Sequence, residues 1–159
     1  MVKVMFICTG NICRSAMADC MLKAEVANKG LNNKIEVYSC GTFAEDGDYA
    51  SFNAIETMEY YNLNLKTHRA TNIRNSKIEE MDIILCATKE HKRFVLQLYP
   101  QLMGKVYTMK EYAKVGNSED EQDIKDPWGY GMQTFLECAK EIDLCVNKTL
   151  ERILEDDKD

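Results

Sequence analysis

Four short apolar runs alternate with stretches of helical periodicity, and this alternation constrains the fold more than any other feature of the chain. The runs are residues 2–8 ("VKVMFIC"), 34–42 ("KIEVYSCGT"), 81–87 ("MDIILCA") and 105–109 ("KVYTM"). Runs apolar on successive residues suit strands covered on both faces. Between the first two, Met17, Met21, Leu22 and Val26 fall at helical spacing, which predicts a helix over 15–29 with Gly30 as its cap. Helices are also predicted over 50–61, from an N-capping Thr88 to about Tyr99 before Pro100, and over 131–154, with a short helical turn at 74–80. The last helix carries Met132, Phe135, Leu136, Ala139, Ile142, Val146, Leu150 and Ile153 along one stripe. A polar loop is expected between 109 and 126. The order β-α-β-α-(α)-β-α-β-α predicts an α/β fold, a four-stranded parallel sheet flanked by helices on both faces. The 159 residues fit a single domain over 1–159.

In an open parallel sheet, ligands bind beyond the C-terminal strand ends. The first such place is the loop from Cys8 to Ser15, "CTGNICRS". The amides of Thr9, Gly10, Asn11, Ile12, Cys13 and Arg14, beside a helix N-terminus, form a ready anion nest. Gly10 is expected to supply backbone freedom, and Asn11 tolerates a left-handed conformation and can tie the loop with its side chain. Arg14 adds a planar, permanently charged fork that suits a phosphoryl group. The same field favours a thiolate at Cys8, and the Ser15 hydroxyl can donate to its sulfur. A thiolate below a bound phosphate is poised for in-line attack on phosphorus. A departing ester oxygen needs a proton, and Asp126 in "DPW" is the candidate donor, with Trp128 expected to shield it from water.

Net charge is −6, with acidic runs at "EDGD", "NSEDEQD" and "EDDKD" read as solvated loops and tail. Such a surface repels nucleic acid, so any anionic ligand must be held by local groups. No apolar stretch approaches the roughly 20 residues of a membrane helix. Seven cysteines in no tight framework suit a reducing compartment, and Cys86, Cys138 and Cys145 read as core residues. A cytoplasmic protein without membrane association is expected. His91, in a polar helical segment, is expected to be exposed. No cysteine pair or histidine cluster suggests a metal site.

The block "VMFICTGNICRSAMA", the late "DPWGYG", "SCGT" after the second strand, "HRA" at 68–70 and "DIILC" in the third together resemble the low-molecular-weight protein tyrosine phosphatases. The pattern C-x-G-N-x-C-R-S after an N-terminal strand is specific, and the similarity runs over nearly the whole chain. The resemblance implies the phosphotyrosine protein phosphatase I-like fold, with Cys8 as nucleophile and Arg14 as phosphate clamp. It implies Asp126 as general acid and then base, Ser15 assisting Cys8, and Asn11 and His68 bracing the loop. It implies no metal or cofactor. Substrates would be tyrosine-phosphorylated proteins or peptides, with phosphate or vanadate as inhibitory anions, and a monomer is expected. In the family the second loop cysteine, here Cys13, can pair with the nucleophile on oxidation, and a nearby thiol would trap a sulfenic acid reversibly.

Some positions depart from the usual pattern. Ala16 stands where proline is common, and after Asp126-Pro127 the aromatic pair is split into Trp128 and Tyr130 by Gly129. "FAEDGD" lacks the usual rim aromatic, so Phe43 and Glu45 join Ile12, Trp128 and Tyr130 as the expected substrate wall. Related enzymes that hydrolyse phosphoarginine typically carry threonine after the loop asparagine. Ile12 here offers no hydrogen bond to a guanidinium and suits a phenyl ring, which favours phosphotyrosine, with a protein arginine phosphatase as the alternative. An arsenate reductase of the same fold would need a further thiol pair, whereas Cys86 is alone on its strand. A phosphocysteine carrier would not be expected to need Arg14 and Asp126, and their presence with Cys8 argues against an inactive phosphotyrosine-binding module.

Overall fold

The structure, a computed structural model, describes residues 1–116 and 121–157. Its strands are β1 (Val2–Cys8), β2 (Ile35–Gly41), β3 (Ile83–Cys86) and β4 (Val106–Thr108). Its helices are α1 (Arg14–Asn28), α2 (Phe52–Tyr60), α3 (Lys89–Leu98), α4 (Met109–Ala113) and α5 (Met132–Asp156). All strand pairs are parallel, in the order β2-β1-β3-β4.

The near-continuous apolar character of β1 has a direct cause. Val4, Phe6 and Cys8 enter the core shared with Met17, Leu22, Phe135 and Ile142 of α1 and α5. Met5 and Ile7 point to the other face, against Ile73, Ile78, Val95 and Leu102. With period-2 alternation and both faces covered from Val4 onward, each of those positions is apolar. On α5, Phe135, Ala139, Ile142, Val146, Leu150 and Ile153 are buried, while Met132 at its start is 36% exposed. Cys86, Cys138 and Cys145 are core residues.

Several local expectations are refined. The turn expected at 74–80 is two 3-10 turns, Ile73–Asn75 and Ile78–Glu80. Thr88 does cap α3, its side chain accepting from the His91 amide. The loop expected after β4 begins instead as α4, because Thr108 and Glu111 form a reciprocal capping box that satisfies two end amides. Of the acidic runs, "EDGD" is exposed, yet Asp46 is not merely solvated: it accepts from the Asn72 amide at 2.6 Å. "NSEDEQD" lies mostly outside the described residues. Among the described residues no helix is long and apolar enough to cross a membrane.

The sheet order places β1 centrally, with the chain passing first to β2 on one side and later to β3 on the other. The crevice at such a switch point opens at the C-terminal end of β1, where Cys8 ends the strand and Arg14 begins α1.

Candidate active site

The loop between β1 and α1 is pinned from several directions. Asn11 adopts the left-handed conformation, φ +57°, and is fully buried. Its side-chain amide donates to Ser15 Oγ at 2.8 Å, and its Oδ1 accepts from the Thr71 amide at 2.9 Å. His68 Nε2 lies 2.7 Å from the Asn11 carbonyl oxygen. Burial pushes the His68 imidazole toward its neutral form. The Thr42 and Phe43 amides donate to the carbonyls of Cys8 and Thr9, and the Ser51 amide to that of Ile12. The backbone freedom expected of Gly10 is taken by Asn11 instead: Gly10 is outside the positive-φ set, and a Cβ there would make only an ordinary 3.5 Å contact with Ile12. The glycine this loop requires is Gly41 at the end of β2, where a Cβ would stand 2.4 Å from the Thr9 carbonyl oxygen and 2.9 Å from the Asn11 nitrogen.

Cys8 is buried at the base of the loop. Its Sγ lies 2.9 Å from Ser15 Oγ and 3.4 Å from the Ser15 amide nitrogen. With Asn11 donating to Ser15 Oγ, the Ser15 hydroxyl has one proton to give, and the Cys8 sulfur at 2.9 Å is nearer to it than the Cys40 carbonyl at 3.5 Å, so hydroxyl and amide are both placed to donate to sulfur. Among the described residues, the amides of Gly10, Asn11, Ile12 and Cys13 have no protein acceptor. Successive amides left without a protein acceptor beside a helix N-terminus are donors that an anion can take.

Arg14 is 4% exposed. One terminal nitrogen donates to the Ile124 carbonyl at 2.8 Å, the other stands 3.7 Å from Asp126 Oδ2, and Nε is buried without a partner. A buried guanidinium with a donor unspent is costly unless a ligand takes it. Asp126 also accepts from the Trp128 amide at 3.0 Å, an Asx turn around Pro127. The shielding expected of Trp128 is absent: the residue is 61% exposed and the Asp126 side chain 53%, because the turn leaves both at the cavity mouth.

A cavity of about 180 Å³ is lined by Cys8, Thr9, Gly10, Ile12, Cys13 and Arg14 of the loop together with Asp126 and Trp128. A more open depression of about 600 Å³, between α1 and residues 63–71, touches neither Cys8 nor Arg14. Phe43, Glu45 and Tyr130 do not line the cavity. Phe43 packs on Phe94, ring centres 5.3 Å apart, and Lys125 sits 4.5 Å over the Tyr130 ring. The Cys13 sulfur contacts Ser51 Oγ at 3.2 Å, and burial pushes its thiol up to about 11. Among the described residues no group of three His, Cys, Asp or Glu is placed to hold a metal ion.

The expectation for His91 is overturned. It is 8% exposed, with Nε2 2.8 Å from Thr9 Oγ1 and Nδ1 2.9 Å from Thr88 Oγ1. Desolvation, aided by the Arg14 charge, lowers its pKa to about 4. The segment "TKEHK" looks polar because it starts a helix, yet a helix start after a parallel strand lies at the ligand end of the sheet. That position was the available signal.

The family model for low molecular weight phosphotyrosine protein phosphatases matches residues 3–159. The chain belongs to this family. It is 28% identical over 153 residues to a protein-arginine-phosphatase of Bacillus subtilis, covering 96% of this chain and 97% of that one. It is 31% identical over 140 residues to the low molecular weight phosphotyrosine protein phosphatase of Schizosaccharomyces pombe, covering 86% and 87%. The crystal structure of a low molecular weight protein tyrosine phosphatase from T. tengcongensis superposes with a TM-score of 0.87 at 31% identity, covering 96% and 99%. Phosphatase chemistry is therefore the family's chemistry, and the buried thiol, orphan amides and buried arginine are the parts of this chain suited to it.

Proposed function

We propose that the chain hydrolyses phosphotyrosine in proteins through a phosphocysteine intermediate. The observation that carries this reading is the buried Arg14 with an unspent Nε donor, lining one cavity with a Cys8 sulfur that the Ser15 hydroxyl and amide both contact. The loop amides and Arg14 bind the phosphoryl oxygens and stabilise charge spread over them in the transition state. Cys8 sulfur attacks phosphorus as the phosphorus–oxygen bond to tyrosine breaks, and Asp126 gives its proton to the departing phenolic oxygen. A bound dianion beside Asp126 disfavours a second negative charge there, the condition a proton donor needs. Asp126 then accepts a proton from the water that attacks phosphorus, the sulfur–phosphorus bond breaks, and inorganic phosphate leaves.

Ile12 and Trp128 supply apolar wall to the cavity, which suits a phenyl ring. The arginine phosphatase similarity, extending over 96% of the chain, supports a second reading, phosphoarginine, which needs a polar group where Ile12 stands. We place Phe43, Glu45 and Tyr130 outside the cavity as contacts for the polypeptide around the phosphorylated residue. Cys13 is the candidate partner for oxidised Cys8, slowed by a thiol that stays protonated at neutral pH. The seven free thiols suit a reducing, cytoplasmic compartment, with the chain acting as one domain and a monomer.

The test is Cys8→Ser. It should abolish turnover of a phosphotyrosine peptide while vanadate still binds. Retained turnover in that variant would remove the covalent mechanism.

A further inference from the structure

We propose that His91 is a positioning residue of the phosphate site: it holds Thr9 on the cavity wall and leaves the Thr9 hydroxyl proton free to donate to a bound phosphoryl oxygen. The inference rests on the phosphatase reading of the cavity.

The argument is a count of donors and acceptors. His91 stands in the first turn of α3, 82 residues from Thr9, with one ring nitrogen on each of two threonine hydroxyls. A neutral imidazole has one donor and one acceptor, so fixing one side fixes the other. The charged groups facing it are Arg14 from α1 and Asp123 and Asp126 from the segment before α5. With desolvation and Arg14 disfavouring a positive charge, the ring is neutral at working pH.

Thr88 decides the tautomer. Its Oγ1 already accepts from the His91 amide at 3.1 Å, as the N-cap of α3. The Thr88 hydroxyl proton has no acceptor among the described residues other than His91 Nδ1, 2.9 Å away. A neutral ring with Thr88 donating to Nδ1 carries its proton on Nε2, the tautomer we assign to His91. In that tautomer the Nε2–H donates to Thr9 Oγ1, 2.8 Å away. The Thr9 proton is then unclaimed by the protein, and Thr9 lines the cavity that holds Cys8 and Arg14. In the opposite tautomer Thr9 would spend its proton on Nε2 and turn a lone pair toward a bound anion. The sign of Thr9's contribution to phosphate binding thus depends on a residue outside the cavity.

The experiment combines calorimetric titration with inorganic phosphate and nitrogen-15 spectra of the His91 ring. Wild type should bind phosphate and show the proton on Nε2. Thr9→Val should weaken binding roughly tenfold, the scale of one hydrogen bond to a charged group. His91→Phe should lose a similar factor, and the double variant should bind no worse than Thr9→Val alone. A proton on Nδ1, wild-type affinity in Thr9→Val, or losses that multiply in the double variant would each overturn the proposal. Failure of wild type to bind phosphate would instead overturn the phosphatase reading. If His91→Phe does not fold, Thr9→Val and the wild-type spectrum decide the matter.

Discussion

At Asp126 two roles compete for one carboxylate. It accepts from the Trp128 amide at 3.0 Å and stands 3.7 Å from Arg14. In the proposed mechanism the same carboxyl gives its proton to the leaving group once a phosphoryl group engages Arg14. Asp126→Ala should therefore slow esters with poor leaving groups by roughly 10²–10⁴, the usual scale of general acid catalysis, and affect activated aryl phosphates far less. Steady-state rates on a matched pair of substrates check this, and equal losses on both would contradict the acid role. His91 sets a different dependence. Its pKa is held at about 4 against an ordinary 6.5, so between those values the unfolded chain binds the proton and the folded one does not. Stability should therefore fall as pH drops from about 6.5 to about 4, by up to roughly 3 kcal/mol, and His68 adds in the same direction. Urea unfolding at neutral pH and near pH 5 should show a smaller decline in His91→Gln than in wild type; an equal decline would assign the effect to other groups. That Cys8, Arg14 and Asp126 would share one cavity was legible because each sits in a short local pattern. His91 was not, because its partner on the loop is 82 residues away and its neighbours in sequence are polar.

The loop owes its shape to the elements that bracket it. β2 runs beside β1 in register, Cys8 opposite Gly41, so the first residues after β1 cross directly over Gly41. A methyl group at Gly41 would meet backbone at 2.4 Å, which no side-chain rotation relieves. Gly41→Ala should destabilise the protein by about 1–3 kcal/mol and weaken phosphate binding together, since the loop must move to make room. Denaturant melts and phosphate titration test the pairing; loss of stability with unchanged affinity would show that the loop moves without its amides. The major strands and helices were readable because a buried parallel strand and an amphipathic helix leave different periods in sequence. The helix α4 was missed although its signal, threonine followed three residues later by glutamate, stood in "TMKE". Five residues carry too little periodicity to show a helix, so only the cap could reveal it. The need for Gly41 was not readable at all, because it arises from strand register.

For the molecule as a whole, net charge is −6, so the long-range field opposes an anionic substrate and the site must supply its own attraction. The sheet does this by placing loop amides, the start of α1 and a buried arginine at one strand end. That architecture fixes phosphoryl transfer to a thiol more firmly than it fixes the group that leaves. The central claim, phosphotyrosine hydrolysis through Cys8, is tested most directly by assaying wild type and Cys8→Ser in parallel on a phosphotyrosine peptide and a phosphoarginine peptide. The account predicts turnover of the phosphotyrosine peptide by wild type, little of the phosphoarginine peptide, and none of either by Cys8→Ser. Preferential release of phosphate from the arginine peptide would contradict the role given to Ile12, and turnover by Cys8→Ser would contradict the mechanism itself.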